Sequence, residues 1–191
     1  MVVLAHVFTA SQIVPIPAAL SQSPFKTHWR ALRRPSQLQA PRPWRSWLMD
    51  PGSLTQRLIQ RSRGQFRVEV LRQQWAVPTA SERQALGMRC REKALIREVQ
   101  LIGKDQPWVY ARSVLPATTL TGRQRLLAQI GTRPLGQMLF RDPSMRRSPL
   151  QISPLHLSTG QTAWARRSVF RLANKPLLVC EVFLPALLEV E

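Results

Sequence analysis

The sequence is poor in the residues that build cofactor and metal sites. It has 2 cysteines, Cys90 and Cys180, and 3 histidines, His6, His28 and His156. Neither cysteine has a CxxC neighbour or a nearby histidine, so a disulfide framework and a zinc site are both excluded on spacing. Reduced cytosolic thiols are the expected state. Acidic residues are few, and no Asp/Glu cluster suits a hard divalent cation. No GxGxxG or phosphate-binding loop occurs, and no GxSxG elbow places a serine as nucleophile. No apolar run approaches the ~18 residues of a membrane-crossing helix. The mildly apolar start lacks a charged leader and is interrupted by His6, Gln12, Pro15 and Pro17, which argues against a secretory signal.

Basic residues, by contrast, are abundant. There are 28 Lys+Arg against 10 Asp+Glu, a formal charge of +18, and nearly all of the positive charge is arginine. Such a balance fits a nucleic-acid footprint, a basic enzyme whose field draws in a small anion, or simply a basic surface. The arginines are spread along the chain without a long basic run, and no RNA-binding signature or recognition-helix pattern accompanies them. A nucleic-acid partner is therefore not expected.

The 191 residues suit one domain with its own core. Residues 1–42 contain no acid and read as an irregular N-terminal extension, leaving 43–191 as the domain. Trp44, Trp47 and Leu48 recur at helical spacing until Pro51-Gly52 breaks the run. Ser53 then caps a second helix, LTQRLIQRS, with Leu54, Leu58 and Ile59 on one face. In QFRVEVLRQ, Phe66, Val68 and Val70 alternate with polar residues, as in a strand. A short helix after Pro78 precedes two strand-like runs, KALIREVQLIG and PWVYARSVLP, joined at Gly103-Lys104-Asp105-Gln106. Leu120 to Ile130 reads as helical, with Leu126, Leu127 and Ile130 apolar. PLGQMLF is a short helix with Pro134 in its first turn. LQIS is a short strand, and WARRSVFRL and LLVCEVFLP form a hairpin around Ala173-Asn174-Lys175-Pro176. About six strands joined mostly by hairpins, with helices in two blocks, predict an α+β domain on one antiparallel sheet.

Two charged residues stand out on apolar strand faces. Glu181 shares a face with Leu177, Val179 and Phe183, where a carboxylate is costly unless paired. Arg97 shares a face with Leu95, Val99 and Leu101 and wants a carboxylate. The two could pair with each other, Arg97 could reach along its stem to the surface, or it could anchor a substrate carboxylate. Arg112 is expected to pair structurally with Glu98 across strands rather than to contact an anion. Of Arg166 and Arg167, alternation leaves one facing solvent.

The blocks WLMDPGSLTQRL, ALIREVQL, QPWVYARSVLP, IGTRPLGQMLF and WARRSVFRLANKPLLVCEVFLP, in that order and spacing, resemble the bacterial chorismate pyruvate-lyase family over about three quarters of the chain. The resemblance implies a six-stranded antiparallel sheet with helical flaps over an internal ligand pocket. It implies a lyase that converts chorismate to 4-hydroxybenzoate and pyruvate, the first committed step of ubiquinone synthesis, without a metal or organic cofactor. Carried over residue by residue, Arg97 binds the aromatic carboxylate and Glu181 meets the ring hydroxyl. Leu135 contributes to the carboxylate site, through its backbone N–H at a helix start. Leu54 stands where the family has methionine, a change that a backbone contact would survive. The expected partner is the small molecule chorismate, for a monomeric cytoplasmic chain with no membrane span. The alternative is a non-catalytic sensor of small aromatic acids with the same fold.

Overall fold

The computed structural model describes residues 28–31, 40–156 and 162–189. Most of the 1–42 extension lies outside these residues. Its described part includes a two-residue strand, β1 (Arg30–Ala31), and the loop into the first helix, α1 (Arg42–Leu48). Then follow α2 (Leu54–Arg61), β2 (Phe66–Ala76), α3 (Ala80–Leu86), β3 (Ala94–Gly103), β4 (Gln106–Pro116), a 3-10 helix (Gly122–Gln129), α4 (Leu135–Arg141), β5 (Arg146–Arg147), β6 (Gln151–His156), β7 (Thr162–Leu172), β8 (Lys175–Phe183) and a closing 3-10 turn (Pro185–Leu187).

All strands belong to one sheet in the order β1-β6-β7-β8-β4-β3-β2, with β5 also on β7, and every pairing is antiparallel. The α+β class expected from sequence is the observed one. Six strands are long. The two extra ones are two-residue pairings, Arg30 and Ala31 against Ile152 and Gln151, and Arg146 and Arg147 against Arg171 and Phe170. Segments that short carry no alternation to read.

Two hairpins set the register. Lys104 and Asp105 have φ of 47° and 60°, and Ala173 and Asn174 have 47° and 65°. Each pair forms a two-residue loop with both φ positive, whose twist matches that of the flanking strands. Lys175 and Pro176 thus belong to β8 rather than to the turn. Gly103 is required at its hairpin for another reason. A Cβ there would lie 2.3 Å from the Trp108 indole, which is fully buried against that backbone.

Both faces of the sheet are covered, so all ten residues of β3 are buried. On one face, α1 packs Trp44 and Trp47 against Phe183, with each ring pair 6.4 Å apart. The Ser53 hydroxyl accepts from the Gln56 N–H at 3.5 Å and starts α2, as expected. Leu54, Thr55 and Leu58 form its buried face, whereas Ile59 is only half-buried. Pro134 caps α4 from outside instead of sitting in its first turn. The segment after Leu120 is a 3-10 helix rather than an α-helix. Its tighter winding buries Leu127 and Ile130 but leaves Leu126 exposed. On the opposite face lies α3, closed by a capping box in which Thr79 and Glu82 exchange hydrogen bonds with each other's backbone N–H.

Candidate active site beneath two flaps

The N-terminal turns of α2 and α4 meet above the first face and act as two flaps. Gly136 lies so near Thr55 that an added Cβ would be 3.0 Å from the Thr55 hydroxyl. Beneath them is a cavity with about 50 Å³ open to the centre of a water molecule. Its roof is Gly52, Leu54, Thr55, Pro134, Leu135, Gly136 and Phe140; its floor includes Val68, Val99, Leu101, Ala111, Ser113 and Val179. Leu54, Leu135, Arg97 and Glu181, the residues singled out by the family resemblance, all line this one cavity.

The strand register explains how. Arg97 of β3 is opposite Ser113 of β4, which is opposite Val179 of β8. One step along, Val99, Ala111, Glu181 and Arg166 form the next row across β3, β4, β8 and β7. Small side chains in β4 therefore separate the two charged arms and leave space above the sheet. A bulge at Leu71 in β2 adds a further detail. It places Gln73 opposite Arg97 and Arg72 opposite Glu98; an unbroken register would have set Arg72 beside Arg97.

Arg97 is 3% exposed, and the one hydrogen bond it makes among the described residues is a long one, 3.4 Å from Nη1 to the Gln73 side-chain oxygen. Burial lowers its pKa from the ordinary arginine value, yet a guanidinium stays charged at neutral pH. No carboxylate pairs with it among the described residues. The Arg97–Glu181 bridge allowed by the sequence is not formed. Glu181 is instead bound through Oε2 by Nε of Arg166 at 2.5 Å. No hydrogen bond to its other carboxylate oxygen forms among the described residues, and Glu181 is part of the cavity lining.

Arg166 is 1% exposed and also donates from Nη1 to the Trp47 and Asp50 carbonyls at 2.7 and 2.8 Å. This ties the α1 end and the first flap to the sheet. Arg167 is 7% exposed on the opposite face, where it donates to Gln151 and Ser81 and lies 4.5 Å from the Trp29 ring centroid. The expectation that one of this pair faces solvent is thus wrong. Alternation still sends the two side chains to opposite faces, but helices cover both.

Arg112 also lies away from the cavity. Its Nε donates to Glu82 of α3 at 2.7 Å and its Nη1 to Glu98 at 2.5 Å. Burial alone would lower its pKa, but the hydrogen bonds and charges of Glu82 and Glu98 outweigh that and raise it. The structural pairing with Glu98 expected from sequence is present, with Glu82 as an additional partner.

Two cavity cations were not expected at the site from sequence: Arg166, read only as one of a pair with one member facing solvent, and Arg147. Charge on an apolar strand was a usable signal for Arg166, as it was for Arg97. Arg147 sits in the polar run SMRRSP, where no pattern marks it.

The chain is thus an α+β domain whose antiparallel sheet carries a cavity lined by three arginines and one glutamate. The fold is shared with the ligand-binding domain of a putative GntR-family transcriptional regulator from Bordetella bronchiseptica, at a TM-score of 0.50 and 17% identity, covering 64% of this chain and 86% of that one. That likeness is one of fold alone. The sequence profile described as "Chorismate lyase" matches residues 26–190. The "Probable chorismate pyruvate-lyase" of Thiobacillus denitrificans is 46% identical over 167 residues, 81% of this chain and 89% of its own. The "Chorismate pyruvate-lyase" of Serratia proteamaculans is 38% identical over 158 residues, 83% of this chain and 86% of its own. The chain belongs to the chorismate lyase family, a family of lyases.

Proposed function

We propose that this chain cleaves chorismate to 4-hydroxybenzoate and pyruvate, supplying the first committed step of ubiquinone synthesis. The observation that carries this reading is Arg97, a buried guanidinium lining the cavity with a single long, neutral hydrogen bond among the described residues. A buried charge in that state is stabilised when an anion reaches it, and a carboxylate matches its fork bidentately.

In this reading Arg97 holds the ring carboxylate, and the backbone N–H of Leu135 at the uncapped start of α4 adds a donor from above. The free oxygen of Glu181 accepts from the C4 hydroxyl and orients the ring. Leu54 closes over the ligand. The ether bond between ring C3 and the enolpyruvyl oxygen breaks, C4 loses its hydrogen, and that hydrogen ends on the methyl group of pyruvate. Atoms balance without water, and aromatisation of the ring drives the step. The chain's contribution is to hold a reactive conformer in a dry cavity. The chemistry requires no metal or organic cofactor.

The test is to mix purified protein with chorismate in the presence of EDTA and separate the products. Equimolar 4-hydroxybenzoate and pyruvate are expected. Intact chorismate alongside tight binding of 4-hydroxybenzoate would replace the lyase reading with that of an aromatic-acid sensor, a role that the fold alone equally permits.

A further inference from the structure

The cavity lining carries three guanidiniums and one carboxylate, a net charge of two positive. The proposed substrate carries two carboxylates, of which the ring carboxylate goes to Arg97. The second needs its own cation, and the geometry narrows the choice. Arg166 is already bound to Glu181 and to two backbone carbonyls. The hydrogen bonds of Arg147 among the described residues go to neutral groups. Its Nε donates to the Ser168 hydroxyl at 3.1 Å, its Nη1 donates to the Pro51 carbonyl at 3.0 Å, and its guanidinium lies 5.0 Å from the Phe170 ring centroid. These contacts orient the group without neutralising it, and no ion pair forms there among the described residues. Burial, and then the nearby charge of Arg166, lower its pKa, and the charges of Glu181 and Asp50 offset this only in part. Position agrees with charge. β5 is on β7, with β8 and β4 between β7 and the Arg97 strand; Arg97, Ser113, Val179 and Ser168 form one row across these strands, Arg147 hydrogen-bonds Ser168 at its far end, and both arginines line the cavity.

We infer that Arg147 binds the enolpyruvyl carboxylate, the one that leaves with pyruvate. This rests on the chorismate reading above. Arg147 also bonds the Pro51 carbonyl on the approach to the first flap, so this second carboxylate sits at the flap's base. The product 4-hydroxybenzoate lacks that carboxylate, which separates the two ends of the cavity experimentally.

The experiment measures KM and kcat for chorismate, and Kd for 4-hydroxybenzoate, in the wild type, Arg147→Gln and Arg147→Lys. Loss of a charged hydrogen-bonded contact should raise KM in Arg147→Gln by about tenfold or more. The Kd for 4-hydroxybenzoate should change by less than about threefold in the same variant, which also reports that it is folded. Arg147→Lys should recover most of the lost chorismate affinity. The inference is overturned if KM is unchanged in Arg147→Gln, or if KM and the 4-hydroxybenzoate Kd rise by the same factor; the latter marks Arg147 as a prop for the flap. Should the wild type bind chorismate without cleaving it, the Kd for chorismate replaces KM in the comparison. In that case the lyase reading fails while Arg147 is still tested. A wild type that binds no chorismate sinks both.

Discussion

Arg97 and Glu181 project from the same face of the sheet on strands separated only by β4, and the β4 residues between them are Ser113 and Ala111. They do not touch. Two strand spacings of about 4.8 Å and an offset of two residues along the strand put their backbones roughly 12 Å apart, and small side chains fill the floor between. Among the described residues Arg97 has no ion-pair partner, and Glu181 pairs with Arg166.

The unpaired state of Arg97 has a measurable consequence. A buried cation without a partner destabilises the empty protein, and an apolar side chain of similar length removes that penalty. Arg97→Met is therefore expected to raise the Tm of the ligand-free protein while weakening 4-hydroxybenzoate binding at least about a hundredfold. Thermal melts with and without 4-hydroxybenzoate check both halves. A lower ligand-free Tm would mean that Arg97 contributes to the fold and is not held in reserve for ligand.

Glu181→Gln should behave in the opposite way. Arg166 is 1% exposed and would keep two carbonyls but lose its carboxylate. The amide retains a neutral hydrogen bond, so the expected loss is about 1–3 kcal/mol rather than the full cost of an orphaned charge. Urea denaturation measures it. A double-mutant cycle should show strong coupling of Glu181 to Arg166 and little to Arg97, and the reverse ranking would contradict the observed pairing.

Much of this arrangement was legible in the chain, for identifiable reasons. Lys104-Asp105 and Ala173-Asn174 fall between alternating runs, so their hairpins announce themselves locally. The Ser53 cap is likewise a matter of three residues. The placement of β8 between β4 and β7 depends on contacts distant in sequence, and no local pattern encodes it. Arg97 and Glu181 were conspicuous as charges on apolar faces, but their true partners depend on that strand order. The bulge at Leu71, which brings Gln73 rather than Arg72 to Arg97, is invisible in the repeat of Phe66, Val68 and Val70. Arg147 belongs to a two-residue strand whose only neighbour in the sheet is β7.

The opposite face offers a control. Glu82, Arg112 and Glu98 form a buried network between α3 and the sheet, with Glu82 2% and Glu98 9% exposed. Arg112→Met orphans two carboxylates and should cost about 3–5 kcal/mol. None of the three lines the cavity. At a temperature where the variant remains folded, its Kd for 4-hydroxybenzoate should stay within about threefold of the wild type, which isothermal titration can determine. A large affinity loss in folded protein would mean that the two faces are coupled through the sheet.

Alkaline pH should destabilise the protein through two buried acids on that same face. Burial pushes the Cys180 thiol well above its ordinary value, reinforced by the charge of Glu82. Burial, followed by the charge of Glu98, raises the Tyr110 phenol likewise. In both cases the folded chain holds its proton to higher pH than the unfolded chain does. Below the ordinary thiol value of about 8.5 both states are protonated, and the stability from these groups is fully present. As pH rises past that point the unfolded chain gives up the Cys180 proton while the folded chain keeps it, so stability falls by up to about 1.4 kcal/mol per pH unit. Above about 10 Tyr110 adds a second such slope. Urea midpoints between pH 7 and 10.5 should therefore drop more steeply in the wild type than in Cys180→Ala, with Tyr110→Phe flattening only the upper part. Parallel curves for all three proteins would show that neither proton is held by the fold.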